Sequence, residues 1–127
     1  MPVRTPSINP QLFARFWLPV LGWMGFISLV SSIPGRDIPP LFPYQDAVYH
    51  LSAYLALALI FGRALANSFC DIKFAKAVFF VIIFGITCGI LDEFHQRFVP
   101  GRSATVFDVS VDGIGTLFGS LFYRWQK

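Results

Sequence analysis

Between Asp92 and Arg102 the chain sets two carboxylates, an imidazole, an amide and two guanidinium groups: Asp92-Glu93-Phe94-His95-Gln96-Arg97-Phe98-Val99-Pro100-Gly101-Arg102. Carboxylates beside an imidazole serve proton transfer and metal ligation, and a guanidinium fork serves phosphate binding. The segment closes an apolar run, Ala77 to Leu91, that reads as lipid-embedded helix. A charge at the middle of such a helix costs about 2.5–3.5 kcal/mol on insertion scales. Ionisable groups near a bilayer therefore need partners, and they mark function by default.

Helical spacing gathers more residues to the same place. Gly85, Gly89, Asp92 and Gln96 follow steps of four, three and four, and so do Asp108, Asp112, Gly115 and Gly119. Residues so spaced share one helix face. Each face contains a G-x-x-x-G element, which lets membrane helices approach closely. The spacing predicts that these glycines form one seam between two antiparallel helices, with Asp92, Asp108 and Asp112 turned into the bundle. A third edge comes from Asp46, His50 and Tyr54, each four residues from the next.

Each candidate has a plainer use. Asp46, at a helix start, suits an N-terminal cap. Tyr54 suits an interfacial anchor, and His50 a satisfied hydrogen bonder. Glu93 and Arg97, one turn apart, suit an exposed helix pair worth a few tenths of a kcal/mol. His95 is off the glycine face, inside the bundle or at its rim. Arg102, just past the Pro100-Gly101 turn, suits a countercharge for the acids or a fork for phosphate. Asp112, the deepest acid, has the weakest alternative. The candidate ligand-binding set is Asp46, His50, Tyr54, Asp92, Gln96, Arg102, Asp108 and Asp112. The catalytic candidates are His50, Asp92, Glu93 and His95. A divalent cation is the one cofactor the residues suggest, with Asp46, His50, Asp92, Asp108 and Asp112 as candidate ligands.

Four elements must position these groups. Of 127 residues 55 % are apolar and 13 % charged, about half the charge usual in a soluble domain. Apolar stretches near 12–33, 47–65, 75–95 and 106–125 reach or approach the roughly 20 residues that cross a bilayer. The expected fold is all-α, a single integral membrane bundle of four transmembrane helices with antiparallel neighbours. The first apolar run is longer than a signal-peptide core and reads as an uncleaved helix. Pro34 to Pro43 reads as an irregular, exposed link. Cys70 and Cys88 fall too far apart in this plan for a disulfide. The 15 phenylalanines are lipid-facing and packing mass.

Charge sets orientation. Arg4, Arg15, Arg63, Lys73, Lys76, Arg124 and Lys127 flank one side, against Arg36, Arg97 and Arg102 on the other. The positive-inside rule then puts both termini in the cytoplasm, with His50 and the Pro100-Gly101 turn outside. The basic residues form no contiguous stripe, which argues against nucleic acid as a partner.

The pattern Asp46-x-x-x-His50-x-x-x-Tyr54, then Asp92-Glu93-x-x-Gln96-x-Phe98-x-Pro100-Gly101-Arg102, then Asp108-x-x-x-Asp112-x-x-Gly115 resembles the VanZ-like family over about residues 44 to 120. That resemblance implies a small multi-pass protein of the bacterial cytoplasmic membrane. The family's founding member is associated with resistance to the glycopeptide teicoplanin. Ala47 stands where the family often has lysine, and Asp112 where it often has asparagine. Both departures make the site more negative, which favours a bound cation.

Three functions fit. The first is a binding or envelope-modulating protein whose polar outer pocket takes a lipid head group, a lipid-linked cell-wall precursor or a glycopeptide. The second is a metal-assisted hydrolase or transferase acting on a phospholipid or polyprenyl-phosphate. The third is a purely structural network that fixes helix register. The absence of an H-E-x-x-H pattern favours the first over the second.

Overall fold

The computed structural model describes residues 9–123, which are helical throughout apart from turns and links. Helix α1 spans Pro10–Ser31, α2 Gln45–Ser68, α3 Phe74–Gln96 and α4 Val106–Phe122. The first three are long and apolar enough to cross a membrane. Helix α4 runs for 17 described residues, about 25 Å at 1.5 Å per residue. Its expected end at Trp125 lies outside the described residues, as do Arg4, Arg124 and Lys127. Among the described basic residues, Arg63, Lys73 and Lys76 lie toward one end of the bundle, and Arg36, Arg97 and Arg102 at the other. The latter is the site end.

Local chemistry starts the helices. Asn9 accepts a hydrogen bond from the Gln11 amide at 3.0 Å, and Pro10 follows in the first helical position, where its missing N–H has no cost. Thr105 caps α4, its hydroxyl accepting from the Asp108 amide at 3.3 Å. Asp46 does not cap α2: it sits in the first turn, and Tyr44, in a left-handed conformation (φ 58°), occupies the cap without a side-chain bond. Gln45 does the local work instead. Its side chain accepts from the Leu41 amide at 2.7 Å and donates to the Pro39 carbonyl at 3.0 Å, folding the link back onto the helix start.

The glycines divide between two interfaces, a correction to the single seam expected. A Cβ at Gly85 would collide with the Thr116 side chain, and one at Gly89 would lie 3.0 Å from Asp112 Oδ2. The α3 numbers fall as the α4 numbers rise, so these helices are antiparallel. Gly115 and Gly119 face α2 instead. A Cβ at Gly115 would lie 2.6 Å from the Leu51 carbonyl oxygen, and one at Gly119 2.5 Å from that of Leu55. Here both numbers rise together, so α2 and α4 run parallel, and they share the most extensive interface of the bundle. Gly62 belongs to this contact as well: its Cβ would meet the Tyr123 ring at 2.7 Å.

Helix α1 is peripheral. Only Val20 and Ser31 on it are buried. Two indoles fasten it to α2, Trp23 donating to the Ala53 carbonyl at 2.9 Å and Trp17 to the Ser68 hydroxyl at 2.8 Å. Phe16 and Met24 pack on the core, while Leu18, Leu21, Phe26 and Leu29 are exposed, as a lipid-facing helix requires. Both cysteines are free.

Candidate functional site

The parallel contact of α2 and α4 brings His50 to Asp112. His50 Nδ1 and Asp112 Oδ1 are 2.8 Å apart, and the carboxylate is 0 % exposed. Tyr54, one turn further along α2, lies parallel to the imidazole, with ring planes 2° apart and centroids 6.5 Å apart. Tyr54 is 1 % exposed, so it is a wall of the site and not an interfacial anchor.

Helix α3 adds Glu93, and its placement overturns the exposed pair with Arg97. Glu93 is 6 % exposed, and no ion pair joins it to Arg97 among the described residues. Its Oε2 accepts from the Thr105 backbone amide at 3.0 Å. The link before α4 thus reaches back across the bundle and pins the carboxylate inward. Asp108 is held nearby, its Oδ2 accepting from the Thr105 hydroxyl at 2.9 Å. Thr105 is therefore a positioning residue that the motif reading passed over. Its signal was present as a Ser/Thr-x-x-acid cap ahead of an apolar run, Thr105-Val106-Phe107-Asp108.

Gln96 and His95 face α1. Gln96, 2 % exposed, donates to the Ser31 hydroxyl at 3.3 Å. His95 Nε2 is 2.9 Å from the Ser32 hydroxyl at the exposed rim. His95 is thus outside the buried cluster of His50, Glu93 and Asp112, whose ligand-capable atoms lie within 4.8 Å of one another. Of the proposed metal ligands, Asp46, Asp92 and Asp108 are not part of that cluster, and Glu93, absent from that set, is. The geometry favours Glu93 because Thr105 turns it inward, whereas Asp46 is exposed and Asp108 is engaged by the cap.

Three cavities meet around these groups. A cleft of about 490 Å³ between α1 and α2 runs from Trp23, Phe26 and Ile27 to Asp46, His50, Asp92 and Arg102. On the other flank of α1, an open cleft of about 420 Å³ is lined by Met24, Ser28, Tyr54, Leu57, Asp92 and His95. A polar hollow of about 130 Å³ lies among Asp46, His50, Gln96, Arg102 and Asp108. Arg102 does not act as the acids' countercharge: among the described residues its guanidinium makes no ion pair, and it lines the hollow and the larger cleft. Asp92 likewise faces the α1 clefts.

The hollow's rim is a backbone clasp. The Gly35 amide donates to the Pro100 carbonyl at 2.9 Å, and Gly101 adopts φ 75°, a region costly for any residue with a Cβ. A Cβ at Gly35 would collide with the Gly101 carbonyl. The 34–43 link is thus tied to the α3–α4 turn at Gly35 and to the α2 start through Gln45, while Arg36 and Asp37 remain exposed with a loose 3.9 Å approach.

This constellation coincides with a known family's extent. A family model described as VanZ/LLP1 matches residues 16–127. The chain belongs to the VanZ/LLP1 family. The match takes in the whole of the cluster and both clefts' polar ends, from Asp46 to Asp112. Together with three helices of spanning length, it makes this a VanZ-like membrane protein. Searches among curated proteins and solved structures returned no match.

Proposed function

We propose that this VanZ-like protein binds a membrane amphiphile with an anionic head group, a phospholipid or a lipid-linked cell-wall precursor, and thereby modulates the cell envelope and its susceptibility to glycopeptides. One observation carries the reading: the cleft that begins among Trp23, Phe26 and Ile27 ends at Arg102, His50 and Asp92. Such a cavity suits a ligand that is apolar along most of its length and charged at one end. Arg102, with no acidic partner among the described residues, can offer its fork to a phosphate. The cleft borders the peripheral helix, so a lipid can enter sideways from the bilayer.

The proposed setting is the bacterial cytoplasmic membrane with both termini inside and the site end outside, from the basic bias of the links. Native mass spectrometry of the protein released from nanodiscs of anionic and neutral lipid tests the ligand. Arg102→Gln should weaken retention of anionic lipid, and Ala56→Phe, which fills the apolar cleft, should weaken retention of both. Unchanged retention in both variants would rule the reading out.

A second reading, a metal-assisted hydrolase or transferase on a phospholipid or polyprenyl-phosphate, is favoured by the buried carboxylates about His50. Release of inorganic phosphate or a lipid product by the purified protein would distinguish it from binding alone.

A further inference from the structure

Asp92, Glu93, Asp108 and Asp112 are each no more than 9 % exposed at the site end. Among the described residues no lysine or arginine comes within 4.0 Å of any of them, and His50 is the one basic group that does. Buried carboxylates in that number call for a positive partner. Two of their oxygens, Glu93 Oε1 and Asp112 Oδ2, are buried without any hydrogen-bond partner, although buried polar atoms are ordinarily paired. These two side chains and the His50 ring converge, one ligand-capable atom from each lying within 4.8 Å of the others.

We propose that His50, Glu93 and Asp112 form a site for one divalent cation of the zinc or manganese kind. One imidazole nitrogen with two carboxylate oxygens is a donor set for such ions, whereas magnesium prefers oxygen throughout. Donors at about 2.1 Å stand about 3.0 Å apart at octahedral right angles and about 3.4 Å apart at tetrahedral angles, so the 2.8 Å Nδ1–Oδ1 edge opens by a few tenths of an ångström to admit the ion. A cation would take the place of the proton shared on that edge. The surroundings hold a donor in place: the Thr105 amide engages Glu93 Oε2 and leaves Oε1 free. His50 also lines the polar hollow, from which water or an oxyanion can complete the shell. This inference stands apart from lipid binding and does not require it.

The test uses the full chain in detergent, freed of any affinity tag, stripped with chelator and reloaded with Zn²⁺, Mn²⁺ or Mg²⁺. Elemental analysis after desalting should find one Zn²⁺ or Mn²⁺ per chain and no Mg²⁺. Glu93→Gln and Asp112→Asn should each weaken binding at least tenfold, while Asp71→Asn, exposed in the α2–α3 link, should not change it. Because Asp112 is fully buried, folding is checked by elution profile, and a second measurement uses the unmutated protein. Its Co²⁺ form should give a d–d spectrum of nitrogen and oxygen ligation that Zn²⁺ abolishes. Less than stoichiometric metal on the folded wild type, or full retention by the folded Glu93→Gln and Asp112→Asn variants, would overturn the site. Metal binding by the wild type together with lipid retention unchanged in Arg102→Gln and Ala56→Phe would count against the lipid reading alone.

Discussion

His50 on α2 and Asp112 on α4 meet with Nδ1 and Oδ1 2.8 Å apart, 62 residues from one another in the chain. The contact exists because Gly115 and Gly119 let α4 lie directly on the α2 backbone. Removing His50 strands a carboxylate that is 0 % exposed. His50→Ala should therefore cost about 2–4 kcal/mol, and Asp112→Asn, which keeps size and a hydrogen bond, about 1 kcal/mol or less. Thermal unfolding in detergent measures both, and equal losses would mean that charge outweighs the hydrogen bond.

The two glycine interfaces predict a contrast along the chain. Gly115→Leu, Gly119→Leu and Gly62→Leu should each lower stability by about 1–3 kcal/mol or more, because their Cβ positions already overlap a neighbour. Gly22→Leu and Gly25→Leu, with nothing within 4 Å of their Cβ positions, should be tolerated. The yield of monodisperse protein reads the difference.

The clasp over the polar hollow rests on two glycines that differ in cause. Gly101→Ala should cost about 1 kcal/mol through its positive φ. Gly35→Ala should free the 34–43 link, since its Cβ would collide with the Gly101 carbonyl. Faster proteolysis of that link in Gly35→Ala than in an exposed control, Asp37→Ala, is the expected result.

Orientation can be read with a natural reporter. Cys70 is exposed in the α2–α3 link, and Cys88 is half-buried. In a Cys88→Ala background, a membrane-impermeant maleimide should label Cys70 in inverted vesicles and not in intact cells. With Cys70 also replaced by alanine, Arg36→Cys should reverse that pattern. Labelling of Cys70 from outside would invert the proposed topology.

Much of this protein is legible one residue at a time. Apolar run length announces the helices, because a bilayer demands about 20 apolar residues of any helix that crosses it. The spacing of Asp46, His50 and Tyr54 and of Asp108 and Asp112 reads correctly as shared faces, since a helix's periodicity is local. Which face meets which helix is not local. Gly115 and Gly119 carry the same spacing whether they face α3 or α2, and only the packed bundle assigns them to Leu51 and Leu55. Glu93 shows the same limit. Its neighbour one turn on is Arg97, so the chain order suggests an exposed pair, yet the Thr105 amide turns the carboxylate inward. Arg102 stands close in sequence to a crowd of acids and pairs with none of them among the described residues. Helix periodicity determines which residues can act together on one element; partners across elements are decided by close backbone approach and by link hydrogen bonds, which no spacing records.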